Sequence, residues 1–137
     1  MILCLIGCRN IRQVIRGFRS YRVAWELTKN PTLRILYISA TSNLAQKQLS
    51  FIKNIFESDI HQKYWPEHLN KDESKREKWT TSEIALDHPD RKKEAIRDPS
   101  IFTGGLTTSL TGMHCDIAVL DDVVVFENAY TGEGRNK

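Results

Sequence analysis

The stretch Asp116-Ile117-Ala118-Val119-Leu120-Asp121-Asp122 constrains this chain more than any other: an apolar run that stops abruptly at two adjacent carboxylates. A strand buried on both faces carries apolar side chains at successive positions rather than alternate ones, so the run reads as an interior strand of a parallel sheet. In open α/β sheets the carboxyl ends of such strands are where ligand chemistry collects. Taken alone, the run reads equally well as a core strand whose final residues are solvated at a loop.

The rest of the chain extends the pattern. Arg22 to Lys29 reads as helix, closed by Asn30-Pro31. Leu33-Arg34-Ile35-Leu36-Tyr37-Ile38-Ser39-Ala40 is β-branched and apolar, and Thr41 or Ser42 then offers an N-cap oxygen. The following helix carries Leu44, Ala45, Leu49, Ile52, Ile55 and Phe56 on one stripe, with Gln46, Lys47, Lys53 and Asn54 toward water. Beyond a polar span around Tyr64-Trp65-Pro66, Trp79 to Leu86 alternates as an edge strand or hairpin arm and His88-Pro89 stops it. Ile101-Phe102-Thr103 is a short strand leading through Gly104-Gly105 and a Thr- and Ser-rich loop into the Asp116 strand, and Met1 to Ile6 reads as a further strand. Strands alternating with helices predict a right-handed parallel α/β sheet with a small antiparallel insertion. In that arrangement Ser39-Ala40-Thr41, the Thr107 to Gly112 loop and Asp121-Asp122 converge on one rim, where Ser39 to Thr41 cap a helix and shape the rim. His114 and Cys115 are expected to pack.

At 137 residues, 40% hydrophobic and 27% charged, the chain suits a single soluble domain, and no apolar run approaches the roughly 20 residues that cross a bilayer. The spacing of Cys4, Cys8 and Cys115 suggests neither a zinc site nor a disulfide framework, which points to a reducing cytoplasm. The net charge of +3 is unevenly placed: Arg9, Arg12, Arg16, Arg19, Arg22, Lys29 and Arg34 face Glu26 alone, a section suited to phosphate. Between Lys71 and Lys93 the basic residues are offset by Asp72, Glu73, Glu77, Glu83, Asp87 and Asp90, which predicts a solvated surface.

An apolar strand ending in Asp-Asp on such a rim reads as a Walker B strand. Asp121 would hold a hydrated Mg²⁺ beside nucleotide phosphates, because Mg²⁺ takes oxygen ligands and keeps several waters. Asp122 would polarise the attacking water. A nuclease site that shares one metal among Asp116, Asp121 and Asp122 is disfavoured, since five residues of strand span roughly 17 Å.

The chain resembles the large terminase subunit of tailed bacteriophages, of the short-tailed phage type. The residues that carry the resemblance run from about Val23 onward: Ile35 to Thr41, Leu44-Ala45-Gln46-Lys47-Gln48-Leu49, Tyr64-Trp65-Pro66-Glu67, Lys75-Arg76-Glu77-Lys78-Trp79-Thr80-Thr81-Ser82-Glu83-Ile84, Gly105-Leu106-Thr107-Thr108, Thr111-Gly112, Leu120 to Val125 and Asn128-Ala129-Tyr130-Thr131. The resemblance implies a P-loop NTPase-like (ASCE) α/β fold, present here as a partial ATPase domain over 1–137. It implies a motor that hydrolyses ATP with Mg²⁺ to drive double-stranded viral DNA into a procapsid in the host cytoplasm. Its partners would be the portal protein and the small terminase subunit, in a homo-oligomeric ring, with no membrane. The family's RNase H-like nuclease domain is not expected within this chain. The alternative reading is a noncatalytic DNA-binding or assembly module on the same scaffold, touching phosphate through its basic N-terminal portion.

The family places Walker A, with its Gly-Lys-Ser or Gly-Lys-Thr, at 7–21. This chain has Gly7-Cys8-Arg9-Asn10-Ile11-Arg12-Gln13-Val14. Arg9 falls where terminases carry an arginine within Walker A, a candidate for stabilising transition-state charge in cis. Arg12, Gln13 and Val14 occupy the Gly, Lys and Ser or Thr positions. Gln13 supplies no cation, Val14 has no hydroxyl for Mg²⁺, and Arg12 fills space where backbone should approach phosphate. ATP binding is therefore expected to be impaired. A shift of reading frame would account for the departure: Arg-Gln-Val-Ile can be encoded CGG-CAA-GTC-ATN, which read one nucleotide later gives Gly-Lys-Ser. Sequencing the coding DNA is expected to find Gly-Lys-Ser in the shifted frame across Arg12 to Val14; codons that cannot yield it rule the shift out.

Overall fold

The computed structural model describes residues 19–123. The expected strand at Met1 to Ile6 and the whole of 7–18 lie outside them, as does 124–137. The described elements are α1 (Arg19–Lys29), β1 (Ile35–Ser39), α2 (Ser42–Glu57), α3 (Asp59–Tyr64), β2 (Lys78–Trp79), β3 (Glu83–Ala85), α4 (Pro89–Lys93), β4 (Ile101–Gly105) and β5 (Ile117–Asp121), with a short 3-10 turn at Glu73–Lys75.

β1 is buried at every position, as an interior strand must be when both of its faces are covered. It pairs in parallel with β4 on one side and β5 on the other. The β2–β3 hairpin adds to the far edge of β4 in antiparallel sense, so the five strands form one mixed sheet in the order β2-β3-β4-β1-β5. The antiparallel hairpin thus extends the parallel core within the same sheet. Trp79 to Leu86 forms both arms of that hairpin rather than one strand. Thr80 Oγ1 receives the Glu83 backbone N–H at 3.0 Å and, with the Ser82 N–H, closes the turn between the arms.

Side chains alternate across β1. Ile35 and Tyr37, with Ile101 and Val119 of the neighbouring strands, face α1 and α2, while Leu36, Ile38 and Ala118 face a cluster completed by Phe102, Leu110, Cys115, Leu120 and Val123. α1 buries Ser20, Val23, Ala24 and Leu27, the three-and-four spacing of one helical face. It ends where the Asn30 N–H reaches the Glu26 carbonyl at 2.9 Å and Pro31 follows. α2 starts at the expected cap, Thr41, whose side chain accepts from the Leu44 N–H, and buries Ala45, Leu49, Ile52 and Phe56. Leu44 departs from the expected stripe: it is 43% exposed.

Three further expectations are corrected. The polar span before Trp65 contains α3, capped by Ser58 and seating His61 against Phe56 at 4.8 Å between ring centres. His88-Pro89 begins a helix instead of only stopping a strand: Pro89 takes the first helical turn, where its missing N–H costs nothing. The Lys71 to Lys93 section is not uniformly solvated. Arg76 lies over the Trp79 ring at 4.6 Å, and both it and the Trp79 indole N–H donate to Glu57 of α2, at 2.7 and 3.0 Å. Arg91 is buried and donates to the backbone carbonyls of Pro31 and Asp98. Charge counting missed both because an arginine can bury its aliphatic stem and planar guanidinium when its N–H groups find fixed acceptors.

At the amino ends of β1 and β5, Arg34 grips Asp116 in a two-pronged ion pair. Nε reaches Oδ2 at 3.0 Å and Nη2 reaches Oδ1 at 2.9 Å, with the Arg34 backbone N–H also donating to Oδ2 at 2.9 Å. The hydrogen bonds from Arg34 hold the Asp116 carboxyl below the ordinary carboxylate range against the opposing effect of burial. Asp116 is thereby engaged as a structural partner of Arg34. His114, expected to pack, instead has a 75% exposed side chain with Nδ1 3.5 Å from Asp98.

At the carboxyl ends, Gly104 and Gly105 permit close approach. A Cβ on Gly105 would stand 2.9 Å from the backbone nitrogen of Ser42, and one on Gly104 would stand 2.9 Å from Thr108 Cβ.

Two stability predictions result. Asp116→Asn should cost about 1–2 kcal/mol near pH 7, less than a fully buried pair because solvent screens it. Since the folded pKa is depressed, the contribution is present above the ordinary carboxylate value and fades as pH falls through the folded one, so urea melts of the two proteins should converge in acid. Gly105→Ala should cost about 1–3 kcal/mol through a clash with backbone that cannot rotate away, read by the same melts.

Candidate functional site

The rim is assembled by strand register. Ser39, the last residue of β1, stands level with Gly105 on one side and Asp121 on the other. The three segments expected to converge therefore do so: Ser39 to Thr41, the loop entered at Gly105, and Asp121-Asp122. All three strands point the same way, so their carboxyl ends open onto one edge of the sheet. α2 begins three residues after Ser39, which brings the N–H groups of its first turn to the same edge.

Local hydrogen bonds make this edge rigid. The Gly105 N–H faces Thr108 Oγ1 at 2.8 Å and Ser42 Oγ at 3.2 Å, so one donor is shared between the loop and the start of α2. Thr103 is buried one turn of the pleat earlier, and its hydroxyl donates to the Ser82 carbonyl at 2.6 Å, locking β4 to the hairpin.

The two acidic residues differ in environment. Asp121 is 4% exposed, on the face of the sheet covered by α1 and α2. The Tyr37 hydroxyl donates to its Oδ2 at 2.6 Å, a short bond of the charge-assisted kind. Tyr37 is itself almost wholly enclosed, so its ring holds the hydroxyl, and hence the carboxylate, in one orientation. Tyr37 was legible in the sequence only as a core residue of a strand. Asp122 is exposed and has a φ of 49°, in the left-handed region that Asp tolerates better than most residues. That conformation ends the strand and turns the chain immediately after Asp121.

Other sequence-derived candidates have different standing. Gly7, Arg9, Arg12, Gln13 and Val14 lie outside the described residues, so their relation to the rim is not described. An open groove of about 410 Å³ between α2 and the hairpin is lined by Asn43, Gln46, Lys47, Ser50, Lys53 and Thr81, and neither rim aspartate lines it. Among the described residues no helix is long and apolar enough to cross a membrane.

Chemically, the rim offers a buried, oriented carboxylate, an exposed carboxylate beside it, several hydroxyls and the start of a long helix. Hard oxygen donors of this kind suit Mg²⁺, not a soft metal.

No protein-family model matches the chain. Among curated proteins, the chain is similar to the large terminase subunit of Enterobacteria phage T3, with 31% identity over 115 residues. The match takes in 84% of this chain but only 18% of the phage protein, so the chain spans less than a fifth of the length of the relative it matches. The likeness extends over most of the described fold, and the resemblance read from the sequence is thereby a finding: this chain is a relative of the large terminase subunits of tailed bacteriophages.

Proposed function

We propose that this chain is part of the ATP-hydrolysing core of a viral DNA-packaging motor, on a P-loop NTPase-like scaffold. The observation that carries the reading is the Tyr37–Asp121 pair at the carboxyl end of an interior parallel strand, adjoined by Asp122 and level with Ser39 and Gly105. The kinship with a phage large terminase subunit supports it.

In this reading Asp121 is the Walker B carboxylate and holds Mg²⁺, directly or through its waters. The donor set fits: a carboxylate held in one orientation by the Tyr37 hydroxyl, with a second carboxylate beside it, is the oxygen-donor chemistry that Mg²⁺ takes. Mg²⁺, when bound, neutralises charge on the phosphates. Tyr37 confines Asp121 to one rotamer, so no ordering cost remains when the cation arrives. Asp122, exposed beside it, accepts a hydrogen bond from the attacking water and orients it. Ser39, Thr41 and Ser42 shape the rim and cap α2. Arg9 stabilises charge in the transition state, and Gly7 with Arg12, Gln13 and Val14 occupies the phosphate loop, impaired as it stands.

The wider role belongs to the same proposal: translocation of double-stranded DNA into a procapsid, in the host cytoplasm, as a ring on the portal protein with the small terminase subunit delivering the genome.

Mg²⁺-dependent binding of ATP separates the outcomes, measured on this chain and on the triple variant Arg12→Gly, Gln13→Lys, Val14→Ser. The restored variant should bind and the unaltered chain should not. Adding Tyr37→Phe to the restored variant should weaken Mg²⁺-dependent binding roughly tenfold, the usual effect of removing a hydrogen bond behind a metal ligand. A restored variant that is folded by circular dichroism yet binds no ATP overturns the reading, and nucleotide-independent DNA binding by that protein would favour the noncatalytic module.

A further inference from the structure

The segment leaving α3 and the segment entering α4 bring three metal-ligating side chains together. One ligand atom each from Glu67, His68 and His88 lies within 4.8 Å of the others. We infer that Glu67, His68 and His88 form a binding site for a borderline transition cation, Zn²⁺ being the natural occupant, which staples the exit of α3 to the start of α4.

The donor chemistry selects the ion. Two imidazoles and one carboxylate suit Zn²⁺ and its neighbours, whereas Mg²⁺ and Ca²⁺ take oxygen ligands. Three protein ligands leave a fourth tetrahedral position for water.

The His68 ring supplies an independent pointer to a ligand. It is 2% exposed, and its Nδ1 is buried with no hydrogen-bond partner among the described residues. A buried ring nitrogen without a partner is costly, and a site that takes up a cation is one way a fold accommodates it. Burial, with the neighbouring His61 and His88, pushes the His68 pKa down to about 4, so the ring is held in the neutral form that ligates metal.

The backbone holds the two segments in place without an ion. The Asp87 N–H donates to the His68 carbonyl at 2.9 Å, and the Asn70 N–H donates to the Asp87 carboxylate at 2.8 Å. The ligands are therefore carried on a fixed bridge between segments about twenty residues apart in sequence. Closing from 4.8 Å to the roughly 3.4 Å between ligands of a tetrahedral zinc is a small adjustment, and Glu67 is exposed. His88 has a supporting group of the usual kind: Asp90 Oδ2 lies 3.6 Å from its Nδ1. Without metal, Nδ1 accepts from the Asp90 N–H at 3.2 Å. Ligation through Nε2 would put the ring proton on Nδ1, which would then donate to the Asp90 carboxylate in place of accepting from the Asp90 N–H. The sequence signal was weak, since Glu67-His68 and His88 match no compact ligand spacing.

The test uses the tag-free chain, stripped with chelator and dialysed against ZnSO₄, with bound zinc measured by plasma mass spectrometry. One zinc per chain is expected, with a rise in melting temperature of roughly 5 °C at saturation. Co²⁺ in its place should give tetrahedral d–d absorption without a thiolate charge-transfer band, which separates this site from one built on Cys4, Cys8 or Cys115. His88→Ala and Glu67→Gln, both chosen outside the buried core, should each weaken zinc binding at least roughly tenfold. Less than a fifth of an equivalent of zinc on the folded chain, a thiolate band with cobalt, or affinity unchanged in both variants overturns the inference.

Discussion

The backbone of β1 hydrogen-bonds along both edges, and both ladders are parallel. Parallel strands cannot be joined by a tight turn, so each pairing demands a crossover long enough to return the chain to the same end of the sheet. α2, α3, the hairpin and α4 fill the crossover from β1 to β4, and the Thr- and Ser-rich loop connects β4 to β5. The consequence for chemistry is direct. Three strand ends face one way, and the residues that follow them share a rim because no other arrangement satisfies both ladders.

Two polar contacts hold β1 and β5 together at their opposite ends. Arg34 and Asp116 join the amino ends through a forked ion pair, and Tyr37 and Asp121 join them near the carboxyl ends through a short hydrogen bond. A slip of one residue would move every side chain of β5 to the other face of the sheet and separate both pairs at once. The same contacts that set the register therefore aim the acidic rim, and the stability of the sheet and the geometry of the site rest on shared residues.

The hairpin illustrates how a charged segment becomes structural. Arg76 and Lys53 both approach the Trp79 ring, and Glu57 accepts from both Trp79 and Arg76. This ties the sheet's edge strand to the end of α2. The Lys-Arg-Glu-Lys-Trp block that carried much of the family resemblance is thus explained in part by packing.

The local elements were legible in the sequence wherever a periodic apolar pattern met a stop signal. α1 before Asn30-Pro31, β1, the Thr41 cap of α2, β4 and β5 all follow from side-chain periodicity and capping chemistry, which act over a few residues. The convergence of Ser39, Gly105 and Asp121 was also predictable, because strand polarity in an α/β sheet follows from element order. What tertiary structure alone decided is which distant groups meet. The fork between Arg34 and Asp116, the Tyr37 hydroxyl on Asp121, the burial of Arg76 and Arg91, and the nearness of Glu67 and His68 to His88 join residues far apart in sequence. No local pattern encodes them, since each depends on the path of a crossover and on which face a side chain finally presents.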